Sequence, residues 1–254
     1  MCEQLLFVLN QIAALQALSA APNKADVART AIVAWYYCIY SAASAMTAAM
    51  DGSFQDNHAE TATKWQERFP SRNLAMHPFA DSLSSVVPAT VNAELAPVRS
   101  RGQFSLVKVP STAEQAWGCC AEYLSGTAGW ERWNVEERVR ESASFKALGV
   151  TDFRTKAARQ LRDPAYARRS IAFLHQASRY RGKANYRDAI FLAYGNSVPS
   201  LLSGIVDDIL TVSQAFAAMA CAYCSMRLGK QAWKEFVDDI ERKRAISFSP
   251  STIW

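Results

Sequence analysis

No G-x-G-x-x-G or P-loop stretch occurs among the 254 residues, so the common backbone routes to nucleotide binding are missing. No serine stands in a nucleophile elbow, which argues against an α/β-hydrolase. Histidine is scarce, with three residues (His58, His77 and His175), so proton transfer near neutral pH has few candidates. There is no internal repeat and no low-complexity tract, and no strand precedes the Cys221-Ala222-Tyr223-Cys224 stretch as a redox C-x-x-C requires. Met1 to Ala20 carries Glu3 and lacks a basic opening, so it reads as an amphipathic helix and not as an export leader. The six cysteines are then expected as reduced thiols in a cytoplasm.

What the chain does have is helical periodicity. Ala28 to Met50 contains no charge between Thr30 and Met50, and a helix polar on neither side must be enclosed by other helices. It is also the one stretch that suggests a membrane span. Tyr36, Tyr37, Tyr40 and its many alanines make it weakly apolar, so it is expected as a buried core helix, with no membrane partner. Residues 3–20 form a helix before it, with Asn23 capping the central helix and Asp51-Gly52 ending it. His58 to Arg68 forms a third.

From Ser71 to Val109 prolines punctuate the chain, predicting an irregular insertion around residues 80–110 with a short helix near Phe79 to Val86 and a strand over Gln103 to Val109. A capping box at Ser111 and Glu114 starts a helix to about Leu124, which Gly126 and Gly129 break. Trp130 to Leu148 and Asp152 to Leu161 follow as separate helices. Asp163-Pro164 reads as the start of a helix towards Arg179. Leu201 to Arg227 and Gln231 to Arg244 complete an all-α helical bundle, taken as a single domain over 1–254.

Charge is uneven. Between Asp152 and Asp188 ten basic residues (Arg154, Lys156, Arg159, Arg162, Arg168, Arg169, Arg179, Arg181, Lys183, Arg187) face three aspartates, a local +7 in a chain of net +5. Tyr166, Phe173, Tyr180 and Tyr186 interleave with them. Cations for phosphates beside rings that stack on bases are what single-stranded RNA binding requires. The competing reading is a set of solvated helix faces partly paired with Glu136, Glu137 and Glu141.

The second helix has the form R-x6-Y-Y-x2-Y-x2-A-x-A (Arg29, Tyr36, Tyr37, Tyr40, Ala43, Ala45), and His58 opens the next. A late R-G-K-A-N-Y runs from Arg181 to Tyr186. In these features the chain resembles the HEPN superfamily of helical prokaryotic toxin, antiviral and RNA-processing proteins. The resemblance implies a HEPN-like core at about 3–68 and 164–227 with 70–163 as insertion, a homodimer or a hetero-complex with a defence-system partner, and no cofactor. It also implies metal-independent ribonuclease chemistry through an R-x4-6-H motif, in which arginine holds phosphate and histidine moves the proton. Arg72-Asn73-Leu74-Ala75-Met76-His77 matches in letters, and His175 follows both Arg168 and Arg169 at suitable spacing. Where the family places its motif, Arg181 is followed by Tyr186 and no histidine, which leaves a catalytically inactive binding member open.

The RNA-binding candidates are therefore Arg159, Arg162, Arg169, Arg179, Arg181, Lys183, Tyr186 and Arg187, and the catalytic candidates Arg72, His77, Arg168 and His175. His58 beside Glu60 is a weaker catalytic pair. A zinc site from Cys119, Cys120, Cys221 and Cys224 is disfavoured, because a vicinal pair on a helix is a poor donor of two ligands, and no metal is assigned. The contrasting function is a structural subunit docking on a larger effector.

Overall fold

The computed structural model describes residues 1–53, 57–100, 102, 110–184, 198–243 and 246–253. Ten α-helices and one two-stranded sheet occur among them, an all-α architecture. The chain divides into two compact units, Met1–Met76 with Ala177–Trp254, and His77–Gln176. The insertion expected at 70–163 compares with this second unit.

In the first unit α1 (Cys2–Ser19), α2 (Lys24–Asp51) and α9 (Val198–Leu228) pack on one another, α3 (His58–Arg68) lies on α2, and α10 (Lys230–Lys243) follows α9. Asn23 caps α2 through its side chain, accepting from the Ala25 N–H at 3.3 Å. Gly52 ends the helix at φ 75°, a left-handed position that glycine takes without Cβ strain. Between the caps nearly every residue from Ala31 to Thr47 is buried, as expected of a helix with no polar face. Leu5, Ala45, Cys221 and Cys224 close one end of this core, and Trp233 and Phe236 of α10 pack against them. Among the described residues the helical stretch long and apolar enough to cross a membrane is Gly204–Leu228 within α9, whereas α2, the stretch weighed for that role from the sequence, is a core helix as expected. The tyrosines and small residues of α2 lower its apolarity, and α9 spends its own apolar face on α1 and α2.

The second unit pairs β1 (Ser82–Leu83) antiparallel with β2 (Ile171–Ala172), and contains α4 (Pro88–Arg99), α5 (Ala113–Glu141), α6 (Ala143–Lys146) and α7 (Lys156–Arg168). α8 (Phe173–Gly182) begins here. Leu83, Val91, Leu95, Leu124, Val135, Tyr166 and Ile171 form its core.

Several expectations are corrected. The 80–110 segment is not irregular throughout, since α4 occupies Pro88–Arg99 with Pro88 in its first turn, where a missing N–H costs nothing. The helix near 79–86 is absent, and Ser82–Leu83 is a strand. Gln103 to Val109 lies outside the described residues. The N-cap of α5 is Thr112, one residue later than Ser111, and Gln115 takes the part assigned to Glu114 by accepting from the Ser111 N–H at 2.8 Å. α5 also runs unbroken through Gly126 and Gly129. Each glycine costs about 1 kcal/mol against alanine, whereas burying Leu124 and Val135 returns about 1.5–3 kcal/mol apiece. Pro164 lies inside α7 and starts nothing, because Thr155 caps that helix and Tyr166 beyond the proline is buried, its hydroxyl donating to Glu136 at 2.6 Å.

Candidate nucleic-acid interface

One cluster in the first unit gathers a histidine, three phenols and an arginine. Tyr36 and Tyr40 are four residues apart and share a face of α2, with Tyr37 beside them at the surface. Asn57 caps α3, its side chain accepting from the Glu60 N–H at 2.8 Å and donating to the Glu60 carboxylate at 3.1 Å, which fixes the start of the helix where His58 stands. The His58 ring lies 4.2 Å from the Tyr40 ring, 5.2 Å from Tyr36 and 5.8 Å from Tyr37, between centroids. Arg181, at the end of α8, places its guanidinium carbon 4.7 Å from the Tyr36 ring centre, close enough for a cation–π contact. Arg29 donates from Nε to the Ala184 carbonyl at 2.9 Å. Among the described residues no carboxylate pairs with Arg29 or Arg181.

The electrostatics follow from that packing. Burial, and after it the Arg181 charge, hold His58 below the ordinary histidine value of 6.5, so its imidazole is neutral at pH 7. Its Nδ1 is sealed from solvent and has no hydrogen-bond partner among the described residues. Burial pushes the Tyr36 phenol up to about 12, although a hydrogen bond with Ser178 and the Arg181 charge pull the other way. Tyr36 is therefore a neutral platform and no acid at neutral pH. Glu60 is not the partner of His58, because it is taken up by Asn57 and by Lys64 at 2.8 Å.

The other candidates fall as follows. Arg72 is exposed on a 3₁₀ turn (Pro70–Arg72) of the first unit, and His77 belongs to the second. His77 is exposed, hydrogen-bonds Asp81 through Nδ1 at 2.8 Å and meets the Trp117 ring edge-on at 5.7 Å. His175 is 5% exposed, and its Nδ1 accepts from the Ala172 N–H at 3.1 Å, a cap on the first turn of α8. Burial first, then the charge of Arg169, drive it down to about 3, so it is neutral and structural. Arg168 is exposed, its Nε spent on the Pro164 carbonyl at 3.1 Å, and the cation acting on His175 is Arg169.

The basic run is divided in the same way. Arg169 pairs with buried Glu131 at 2.8 Å, Arg162 with Asp163 at 2.7 Å while stacking on Phe153 and Tyr166, and Arg159 is exposed. Arg179, Arg181 and Lys183 belong to the first unit. Tyr186 and Arg187 lie outside the described residues. Of the carboxylates expected to pair with the run, Glu136 meets Arg162 at 3.7 Å and also Arg140 at 3.0 Å, whereas Glu137 pairs with Arg140 at 2.5 Å.

Among the described residues no group of three or more His, Cys, Asp or Glu side chains is placed to hold a metal ion. Cys221 and Cys224 are buried, and burial raises both thiols, Cys224 to about 12, so they are inert as thiolates. Compared with known proteins, the chain matches no family model, no curated protein and no solved structure.

Proposed function

We propose that the first unit is a HEPN-like module that contacts single-stranded RNA, in a cytoplasmic component of a prokaryotic defence or toxin system. The observation that carries this reading is the cluster of His58, Tyr36, Tyr37 and Tyr40 with Arg181 over one of its rings. Tyr37 offers an exposed ring on which a base stacks, and Arg29 and Arg181 offer charges that no carboxylate among the described residues consumes. The two together meet the needs of a flexible polyanion carrying π-faces. The resemblance in Arg29, Tyr36, Tyr37, Tyr40 and Arg181 points to the same residues.

Fluorescence anisotropy with a labelled single-stranded oligoribonucleotide tests it. Arg181→Gln is expected to weaken binding about tenfold and to reduce the salt slope by roughly 0.7, the share of one phosphate contact on a single strand. Tyr37→Ala is expected to cost about 1–3 kcal/mol of stacking. Equal affinity in all three proteins would sink the reading.

A second reading, metal-independent cleavage, is favoured by the neutral state of His58 beside a guanidinium. His58 takes the proton of a ribose 2′-hydroxyl, that oxygen attacks the adjoining phosphorus as the P–O5′ bond breaks to leave a 2′,3′-cyclic phosphate, the departing 5′-oxygen takes a proton from water, and Arg181 offsets the charge that develops. With EDTA present, His58→Ala is expected to lower cleavage of total RNA by about 10²–10⁴-fold. Intact RNA with the wild type, or cleavage that survives the substitution, removes this reading and leaves binding alone.

A further inference from the structure

The second unit carries an open cavity of about 470 Å³ whose walls come from α5, the short α6 and α7. Its apolar lining includes Val139, Leu161 and Ala165, and its basic lining Arg138, Arg168 and Arg169. Small-molecule sites span about 300–1,000 Å³ and combine an apolar bed with a few fixed polar groups.

The three arginines are not equivalent. Arg169 is held by the Glu131 carboxylate at 2.8 Å, so its charge is balanced within the fold. Arg138 and Arg168 are exposed, and each ties its Nε to a carbonyl of its own helix, Asn134 at 3.2 Å and Pro164 at 3.1 Å. That anchoring restrains both side chains and leaves their terminal nitrogens, which pair with no carboxylate among the described residues. The cavity thus presents two uncompensated positive charges, from two different helices, beside an apolar bed. A carboxylate would match only one of them. Inorganic phosphate would match both and leave the apolar bed in water. A phosphate monoester, close to dianionic at pH 7, satisfies both features, because its oxygens accept from guanidinium forks while its organic part covers the bed.

We infer that this cavity binds an organic phosphate monoester, the phosphate held by Arg138 and Arg168 and the apolar or ring portion resting on Val139, Leu161 and Ala165. The inference does not depend on the RNA reading of the first unit. Such a monoester occurs as a free small molecule or as the terminal phosphate of a nucleic acid, and the chemistry is the same.

Calorimetric titration of the full chain with phenyl phosphate at low ionic strength tests it. The wild type is expected to bind, with benzoate at least tenfold weaker. The Arg138→Gln/Arg168→Gln double variant is expected to lose tenfold or more, and Lys234→Gln, on a helix of the other unit, to lose nothing. Both arginines are exposed, so an unchanged circular dichroism spectrum is expected for the double variant. Displacement of phenyl phosphate by a 5′-phosphorylated oligoribonucleotide, and not by its 5′-hydroxyl counterpart, assigns the site to a terminal phosphate. Displacement by neither assigns it to a free small molecule. No heat with millimolar phenyl phosphate, or equal affinity in wild type and double variant, overturns the proposal.

Discussion

Acidification from pH 6.5 to about pH 5 is expected to remove about 2 kcal/mol of stability through His175 alone. The sign follows from where the proton prefers to bind. The folded-state value of His175 is about 3 against an ordinary value of 6.5, so between those limits the unfolded chain binds the proton and the folded chain does not. Stability from this group is complete above about 6.5 and falls as the pH drops towards 3. Urea unfolding at a series of pH values checks it, with His175→Asn as comparison, since an asparagine oxygen still accepts from the Ala172 N–H. His58 is lowered too and adds a contribution of the same sign in the first unit, which the comparison cancels. Parallel stability curves for wild type and His175→Asn would contradict the placement of His175 as a buried neutral cap.

Arg169→Ala is expected to cost about 3–5 kcal/mol, because it leaves the Glu131 carboxylate buried without the cation that balances it. Replacing both residues by apolar ones, Arg169→Met with Glu131→Leu, is expected to recover most of that loss, since the desolvation cost of the pair disappears with it. Thermal unfolding of the two variants distinguishes the cases. A loss under about 1 kcal/mol for Arg169→Ala, the range of a solvated surface pair, would show that Glu131 finds water or another partner.

These two effects also show why a dense basic stretch is a poor guide by itself. From composition Arg162 and Arg169 look like phosphate-binding residues, yet each is occupied with a carboxylate. The partner of Arg169, Glu131, lies 38 positions away in the chain, and no local spacing announces such a pair.

The fold was most legible where local chemistry and burial agree. α2 announced itself by Asn23 at one end, Gly52 at the other and apolar residues all round. It was least legible where burial overrides local preference. α5 continues across Gly126 and Gly129 because its apolar face is covered, and α7 accommodates Pro164 within its length. α4 was hidden because Pro88 reads as punctuation, although at a helix start it is permissive.

The candidate interface shows the same division. Tyr36 and Tyr40 at helical spacing mark a shared face, and the resemblance to HEPN proteins singles out Arg29, the tyrosines, His58 and Arg181. Nothing in the local sequence brings His58 to that face. Its neighbours, Glu60 and the polar side chains of α3, suggested a solvated helix, and only the packing of α3 on α2 puts its ring 4.2 Å from Tyr40.

The measurement that bears most directly on the central claim is ultraviolet cross-linking of the full chain to a uridine-rich single-stranded RNA, followed by peptide mapping. The account predicts adducts on the peptides carrying Tyr37, Tyr40 and His58, with their yield reduced in Arg181→Gln. Adducts confined to His77–Gln176, or none at all, would contradict it.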